Sequence, residues 1–95
     1  DLLITPTFQR PPRTIEEQIK RANSEKLYPP ELHNTMPFNV FGNPAISVPC
    51  GFTKGGLPIG LQIAGAPMAE DKVLAFAKAF EQSTSWHLRK LKLKA

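Results

Sequence analysis

The sequence predicts an α/β fold, in which a small sheet has helices packed against it. Over residues 45–64, apolar side chains alternate with the period of two that strands show. Residues 70–84 instead space their apolar side chains with the period of a helix. The chain has 95 residues and is 41% hydrophobic, which suits one small domain or a piece of a larger one.

The first element is predicted to be a buried strand over residues 2–5. Leu2, Leu3 and Ile4 form an apolar run there, and Pro6 is expected to end it. Residues 6–13 are predicted to be a loop, because its consecutive prolines remove backbone donors and fix the backbone.

A helix is predicted over residues 14–22. Thr14 and Glu17 have the spacing of a capping box, in which each side chain satisfies a free amide of the first turn. The apolar stripe is narrow and consists of Ile15, Ile19 and Ala22. Two pairs of opposite charge have the favourable i,i+4 order: Glu16 with Lys20, and Glu17 with Arg21.

A second, broken helix is predicted over residues 32–41, after an irregular stretch at residues 23–31. Pro37 suits the first turn of this helix, and Gly42 can adopt the left-handed conformation that often ends one.

Two strands joined by a glycine turn are predicted next. The first covers residues 45–48 and is expected to end at Pro49, and the second covers residues 58–64. Residues 54–56 (Lys-Gly-Gly) can take the positive φ that a tight connection needs. We expect a hairpin with a bulge or a longer loop.

These two strands have one bulky face and one small face. The bulky face consists of Ile46, Val48, Ile59, Leu61 and Ile63, and we expect helices to cover it. The small face consists of Ala45, Ser47, Gly60, Gln62 and Ala64. Because small side chains let another layer approach closely, this face is also expected to be covered, from outside the chain.

The last helix is predicted over residues 70–84. Glu70 and Asp71 lie at its N-terminal end, where the helix dipole favours negative charge. Its apolar stripe consists of Val73, Phe76, Ala77 and Phe80. We interpret the two phenylalanines as core residues, and Trp86 with His87 as an anchor for the helix end.

The net charge of +4 comes from the C-terminal tail, residues 88–95. Its basic residues are Arg89, Lys90, Lys92 and Lys94, and the rest of the chain is neutral. We interpret the tail as solvated. The alternative is a phosphate-binding tail, but no aromatic side chains interleave with its lysines, so a nucleic-acid partner is not favoured.

From the cysteine and the two histidines we predict no metal site, no cofactor and no catalytic residue in this chain. Cys50 is interpreted as a small buried side chain, since no base lies near it in the sequence. His33 and His87 lack a third ligand at metal spacing. One cysteine suits a reducing cytoplasm, and no apolar run reaches the roughly 20 residues that span a membrane.

Four blocks of the chain resemble, in order, the end of the amidase signature family. They are Leu-Ile-Thr-Pro-Thr at residues 3–7, Asn-Pro-Ala-Ile-Ser-Val-Pro at 43–49, Gly-Leu-Pro-Ile-Gly-Leu-Gln at 56–62 and Phe-Glu-Gln-Ser-Thr-Ser-Trp-His at 80–87. Their spacing also agrees. One departure is Asn43, where the family more often has an apolar residue.

The resemblance implies that residues 1–95 are the C-terminal piece of a single α/β amidase domain, whose mixed, twisted sheet is flanked by helices. It implies hydrolysis of amide C–N bonds by a Ser–Ser–Lys triad upstream of this chain. The parent would act on a small-molecule amide or serve as the amidase subunit of a tRNA-dependent amidotransferase. The chain lacks the family's Gly-Gly-Ser-Ser-Gly run, so we expect it to be inactive alone.

Partners and substrate contacts follow from the same resemblance. The expected partner is the N-terminal part of the same amidase or another copy of the chain. In related enzymes, the segment before the Pro-Ala-Ile-Ser-Val-Pro block helps to wall the substrate cleft, which makes Met36, Phe38 and Asn39 the candidate substrate-binding residues. The alternative for these three residues is ordinary core packing.

Two other functions stay open at this point. The chain could be a stand-alone basic interaction module that uses its tail and an open sheet edge. It could also be an inactive relic of the family. The start at Asp1, which leads directly into an apolar run, suits a fragment or a processed chain.

Overall fold

The computed structural model describes residues 1–26 and 33–90. In chain order, its elements are β1 (Leu3–Pro6), α1 (Ile15–Ala22), α2 (Met36–Phe41), β2 (Ala45–Phe52), β3 (Pro58–Ala64), α3 (Glu70–Ser83) and a 3-10 turn (Trp86–Leu88). Each predicted helix and strand is present, which agrees with the α/β class. The second helix begins at Met36 and not at residue 32 as predicted, because residues 34 and 35 form a turn before it. Residue 32, most of the irregular stretch before it and the end of the basic tail lie outside the described residues.

The three strands form one sheet with β3 in the centre and the order β1-β3-β2. Ile63 of β3 pairs with Ile4 on one side and with Ile46 on the other, and both pairings are antiparallel. The sheet that residues 1–26 and 33–90 form is therefore antiparallel throughout. The mixed sheet implied by the resemblance needs a parallel strand from elsewhere and stays a prediction.

The first strand is less buried than predicted. Leu3 is 63% exposed and Ile4 is 49% exposed, so the expectation of a buried strand is wrong. The reason is that β1 lies at an edge of the described sheet, where only Leu2 packs against the core. Pro6 belongs to the strand instead of ending it, since an edge strand tolerates a residue without an N–H donor.

The second strand is longer than predicted. It continues through Pro49 to Phe52, and the register shifts between Pro49 and Gly51. This bulge follows the proline on the other edge of the described sheet, where the missing N–H removes little from the ladder. The hairpin that follows has the expected longer loop, in which Gly56 has a φ of 87° and Thr53 N–H donates to the Leu57 carbonyl at 2.8 Å.

The core lies between the bulky face of the sheet and α3. Its buried side chains are Val48, Ile63, Val73 and Ala77, with Leu2, Ile46, Leu61 and Phe80 packed around them. The predicted cover of the bulky face by the last helix is therefore confirmed.

Two residues that were assigned to this core are exposed. Phe76 is 38% exposed because the buried side of α3 runs through Val73 and Ala77, which leaves Phe76 on the flank. Ile59 is 39% exposed because it lies opposite Gly51, on the hairpin side of the bulge.

Helix α1 begins as predicted but buries nothing. Thr14 N–H donates to Glu17 Oε2 at 3.0 Å, and Glu17 N–H donates to Thr14 Oγ1 at 3.1 Å, which completes the capping box. The apolar stripe of the helix stays open, with Ile15 81% and Ile19 54% exposed. The described residues therefore supply no cover for this helix.

The C-terminal turn is held against the end of β2. The ring of Trp86 lies 6.4 Å from that of Phe52, centroid to centroid, and the Arg89 guanidinium lies 4.8 Å from the Trp86 ring. His87 is exposed. Trp86 thus anchors the segment after α3 as predicted, whereas His87 takes little part.

Candidate functional site

The predicted substrate-binding residues lie on α2, a short helix with well-defined ends. Pro37 occupies its first turn, and Gly42 ends it with a φ of 72°. The N–H groups of Gly42 and Asn43 both donate to the carbonyl of Phe38. The predicted proline start and glycine stop are confirmed. They set the first and last residues of the helix that carries the candidate side chains.

A hydrogen-bond network attaches the segment before α2 to the sheet. Gln62 is only 3% exposed, and its amide donates to Thr5 Oγ1 and to the Asn34 carbonyl, each at 3.0 Å. The Asn34 amide donates in turn to the Pro6 carbonyl at 2.8 Å. The segment at Asn34 therefore covers part of the small face of the sheet. It also supplies a hydrogen-bond partner that the buried Gln62 amide requires.

Next to Gln62, the hydroxyl of Thr7, which directly follows β1, meets the hydroxyl of Ser47 in β2 above the central strand. Thr7 Oγ1 and Ser47 Oγ are 2.6 Å apart. They can meet because Gly60 lies between them: a Cβ at this position would come within 2.6 Å of Ser47 Oγ and 2.7 Å of Thr7 Oγ1. The glycine on the small face is thus needed for this contact.

An open cavity of about 260 Å³ lies between helix α2 and the small face, and we call it the α2 cavity. Its main lining residues are Thr35, Phe38 and Asn39 on the α2 side, and Thr7, Ser47 and Gln62 on the sheet side. The structure thus brings two of the three candidate residues together. Met36 is half-exposed and does not line this cavity.

The sequence left part of this wall unassigned. Ser47 and Gln62 could have been added, because the alternation of the strands already placed them on the small face. Thr7 carried no such signal, since it follows the strand and reaches the cavity only through the pairing of β1 with β3.

Asn43 forms a hydrogen bond at the end of the sheet where β2 begins and β3 ends. Its amide donates to the Gly65 carbonyl at 2.9 Å, and the Gly65 N–H donates to the Pro44 carbonyl at 2.9 Å. The residue that departs from the family pattern therefore joins the start of β2 to the end of β3. This bond accounts for a polar side chain at a half-buried position.

The side chains that line the α2 cavity are uncharged. Its polar groups are hydroxyls and carboxamides, and the Phe38 ring supplies an apolar surface. A serine nucleophile requires a hydrogen bond to a base, whereas the Ser47 hydroxyl is hydrogen-bonded to another hydroxyl. No Asp, Glu, Lys, Arg or His is among the lining residues of the α2 cavity.

Cys50 does not form a nucleophilic site either. The thiol is half-buried, and burial raises its pKa. A higher pKa leaves less of the reactive thiolate at neutral pH. This agrees with the interpretation of Cys50 as a packing residue.

Neither a metal centre nor a membrane-spanning helix is found in the described part of the chain. Within residues 1–26 and 33–90, no three His, Cys, Asp or Glu side chains are grouped so that they could hold a metal ion. No helix in these two ranges has the length and apolar character needed to cross a membrane.

Comparison with known proteins decides the family. The model of the family described as Amidase matches residues 1–74, from β1 into the first turns of α3. The chain belongs to the amidase family. This confirms the resemblance drawn from the four sequence blocks.

Curated members of the amidase family match nearly the whole chain. The A subunit of glutamyl-tRNA(Gln) amidotransferase from a Nostoc species is 45% identical over 93 residues, which cover 98% of this chain and 18% of that protein. The protein of the same name from Methanosarcina mazei is 48% identical over 90 residues, covering 95% of this chain and 18% of that protein. No solved structure matches the chain.

The chain thus spans 18% of the length of these relatives. Within the part it does span, the amidase family match includes α2, β2 and β3, and therefore most of the wall of the α2 cavity. The roles of Met36, Phe38 and Asn39 in substrate binding stay a prediction.

Proposed function

We propose that this chain is the C-terminal structural part of an amidase, an enzyme that hydrolyses amide C–N bonds. The observation that carries the proposal is the family match over residues 1–74. The catalytic Ser–Ser–Lys triad lies upstream, in the part of the protein that these relatives possess and this chain does not. Alone, the chain is inactive.

Within the complete enzyme, the α2 cavity forms one wall of the substrate cleft. Phe38 supplies an apolar contact, and the Asn39 carboxamide supplies a hydrogen bond to the amide substrate. Met36 lies on the same helix outside this cavity, where it contacts the upstream part of the enzyme or the far end of the substrate. The combination of an apolar wall and a few polar groups is typical of small-molecule sites.

The substrate is a small-molecule amide. A more specific role, as the amidase component of an amidotransferase, is supported by the relatives at 45% and 48% identity, each of which bears the name of the A subunit of glutamyl-tRNA(Gln) amidotransferase. In both roles the upstream active site releases ammonia from an amide.

The test compares this chain of 95 residues with the complete gene product that contains it. Ammonia release is measured with glutamine, aliphatic amides and aromatic amides, before and after treatment with a serine-directed sulfonyl fluoride. We expect turnover by the complete protein only, and loss of turnover after treatment. Reagent-sensitive turnover by the short chain would contradict the proposal, as would a complete protein that hydrolyses none of these amides.

The assigned cleft wall is tested separately with Asn39→Ala in the complete protein. Loss of one hydrogen bond to a neutral group lowers kcat/KM by roughly three- to tenfold. Asn23→Ala, at the exposed end of α1, is the matched control and leaves kcat/KM unchanged. Equal kcat/KM for Asn39→Ala and the control would remove Asn39 from the site.

A further inference from the structure

Helix α2 lies beside the sheet without packing into its core. None of its residues is buried, and Val40 and Phe41 are 77% and 74% exposed. The core cluster of the described residues includes no side chain from this helix. The α2 cavity instead lies between the helix and the small face. Within residues 1–26 and 33–90, apolar packing therefore contributes little to the position of α2.

Hydrogen bonds from three carboxamides attach the two ends of α2 to the sheet. At the start of the helix, the Gln62 amide donates to the Asn34 carbonyl at 3.0 Å, and the Asn34 amide donates to the Pro6 carbonyl at 2.8 Å. At its end, the Asn43 amide donates to the Gly65 carbonyl at 2.9 Å. The position of α2 relative to the small face therefore depends on a few polar groups.

Gln62 makes the most protected of these attachments. It is 3% exposed, whereas Asn34 and Asn43 are half-buried. Its amide also donates to Thr5 Oγ1 at 3.0 Å, so one side chain of the central strand links β1 to the segment before α2. Loss of this amide would leave the Asn34 carbonyl without its partner from the sheet, which costs more than the loss of an exposed hydrogen bond.

The start of α2 in turn sets the position of the proposed cleft wall. Thr35 directly follows Asn34, and its carbonyl accepts a hydrogen bond from the Asn39 N–H at 3.4 Å. Phe38 precedes Asn39, and both line the α2 cavity. Because the helix has only six residues, a shift at its start moves both side chains.

We propose that Gln62 is a positioning residue for the substrate. With Asn34, it fixes the start of α2 on the sheet, and through this helix it sets where Phe38 and Asn39 meet the amide. It acts through α2 and not on the reacting atoms. The inference rests on the proposed function, in which α2 forms one wall of the substrate cleft.

Steady-state kinetics of the complete gene product test this role, with the amide that it hydrolyses fastest. Gln62→Met removes both donors and keeps an unbranched side chain of similar length. We expect KM to rise about three- to tenfold with little change in kcat, because the cleft wall binds an unreacting part of the substrate. A purely structural role would lower the active fraction, and therefore kcat, and would leave KM unchanged. That result would overturn the proposal.

A double variant shows whether Gln62 acts through Asn39. Once α2 is displaced, Asn39→Ala has little left to remove. The loss of kcat/KM in the double variant should therefore be smaller than the product of the two single losses. Losses that simply multiply would show that the two residues act independently, which would contradict a positioning role.

Hydrogen exchange, followed by mass spectrometry, reports on α2 without any use of activity. In Gln62→Met the amides of residues 35–43 should exchange about three- to tenfold faster, because fewer bonds hold the helix. The amides of α3 (Glu70–Ser83) should keep their rates. Equal acceleration in α3 would indicate a general loss of stability, and unchanged exchange in α2 would indicate that Gln62 does not hold it. Either result would overturn the proposal.

Thr53→Val is the matched control. It removes another single hydrogen bond, which Thr53 Oγ1 accepts from the Leu57 N–H at 3.1 Å in the hairpin loop, outside the α2 cavity. This variant should leave KM and the exchange of residues 35–43 unchanged. The same changes in Thr53→Val as in Gln62→Met would show that the effect is not specific to the start of α2, and the proposal would be wrong.

Asn34→Ala keeps the test decisive if Gln62→Met folds poorly. It removes the donor to the Pro6 carbonyl but retains the backbone carbonyl that Gln62 binds. KM and the exchange of residues 35–43 should both increase, by about two- to fivefold. No change in either would overturn the proposal. Because the exchange measurement needs no turnover, failure of this inference is distinguishable from failure of the proposed amidase activity.

Discussion

Gly60 is the residue at which the sheet depends most directly on the absence of a side chain. Its central position lets Thr7 and Ser47 form a hydroxyl pair across β3. In Gly60→Ala the new methyl group would press on both hydroxyl oxygens, within 2.7 Å. We expect a loss of about 1–3 kcal/mol in the free energy of unfolding, measured by urea denaturation of the complete protein.

The matched control is Gly55→Ala in the hairpin loop. An added Cβ there would meet only Thr53 Oγ1, at an ordinary contact distance of 3.8 Å. This variant should unfold at nearly the same urea concentration as the parent. If Gly60→Ala were as stable as Gly55→Ala, the contact between Thr7 and Ser47 would not constrain the sheet.

Cys50 provides a second prediction for a single residue. Burial raises the pKa of its thiol above the ordinary 9.0. The thiolate fraction near neutral pH is therefore reduced, and alkylation of Cys50 by iodoacetamide should be slower than that of free cysteine at the same pH. Mass mapping of the modified peptide measures the rate. Unfolding in urea should restore the rate of a free thiol, and a fast reaction in the native protein would contradict the assigned burial.

Residue-scale features differ in how far the sequence could reveal them. The small face was predictable, because the period of two places Ser47, Gly60 and Gln62 on the same side. The contact between Thr7 and Ser47 was not. These residues are 40 positions apart, and only the order of the strands brings them together.

At the scale of the element, α1 is the clearest success of local sequence signals. Its capping box needs only residues three positions apart, and both predicted hydrogen bonds are present. Hydrogen bonds that the Glu17 carboxylate accepts from the Thr14 backbone N–H and from the Thr14 side chain lower the pKa of Glu17, with smaller contributions from Lys20 and Arg10. The pH dependence of this helix end follows from that direction.

We expect the first turn of α1 to open on acidification. A lowered pKa in the folded state means that the stabilisation by Glu17 is fully present above its unfolded pKa, near 4.5, and is lost as the pH falls through the folded value. The Thr14 amide resonance, followed by NMR against pH, should titrate below 4.5. In Glu17→Gln this transition should disappear. A midpoint at or above the ordinary value would contradict the assigned hydrogen bond.

The strands were predicted less well than α1. Two of their predicted ends, at Pro6 and Pro49, are wrong for the same physical reason. Proline was expected to lie outside a strand at Pro6 and at Pro49, yet both belong to strands. Each lies in an outer strand of the described sheet, where a missing N–H can face away from the ladder. Sequence shows where a donor is missing, but it does not show which strand is at the edge.

At the scale of the whole molecule, the described residues bury the middle of the bulky face but leave both sides of the sheet partly open. Large apolar side chains remain exposed on several separate elements, including Leu3, Ile15, Val40, Phe41 and Leu74. A stable soluble domain rarely leaves this much apolar surface open on so many elements. The proposed upstream part of the amidase would supply the missing cover.

This arrangement predicts different behaviour for the short chain and the complete protein. The isolated chain should bind 1-anilinonaphthalene-8-sulfonate and form large, polydisperse assemblies in sedimentation experiments. The complete protein should bind little dye and sediment as a defined species. A discrete dimer of the short chain without dye binding would favour a second copy as the cover, and a monomer without dye binding would contradict the need for any cover.

The strand order has a consequence for the time course of folding. The central strand β3 is the last of the three to be synthesised, and Leu3 of β1 pairs with Ala64, 61 positions later. Neither β1 nor β2 has its described partner before β3 has left the ribosome. The sheet therefore closes late, through contacts of long sequence separation, which are typical of slow steps in folding. Until then the strands that pair with β3 are unpaired, and unpaired strand edges make a newly made chain prone to aggregation.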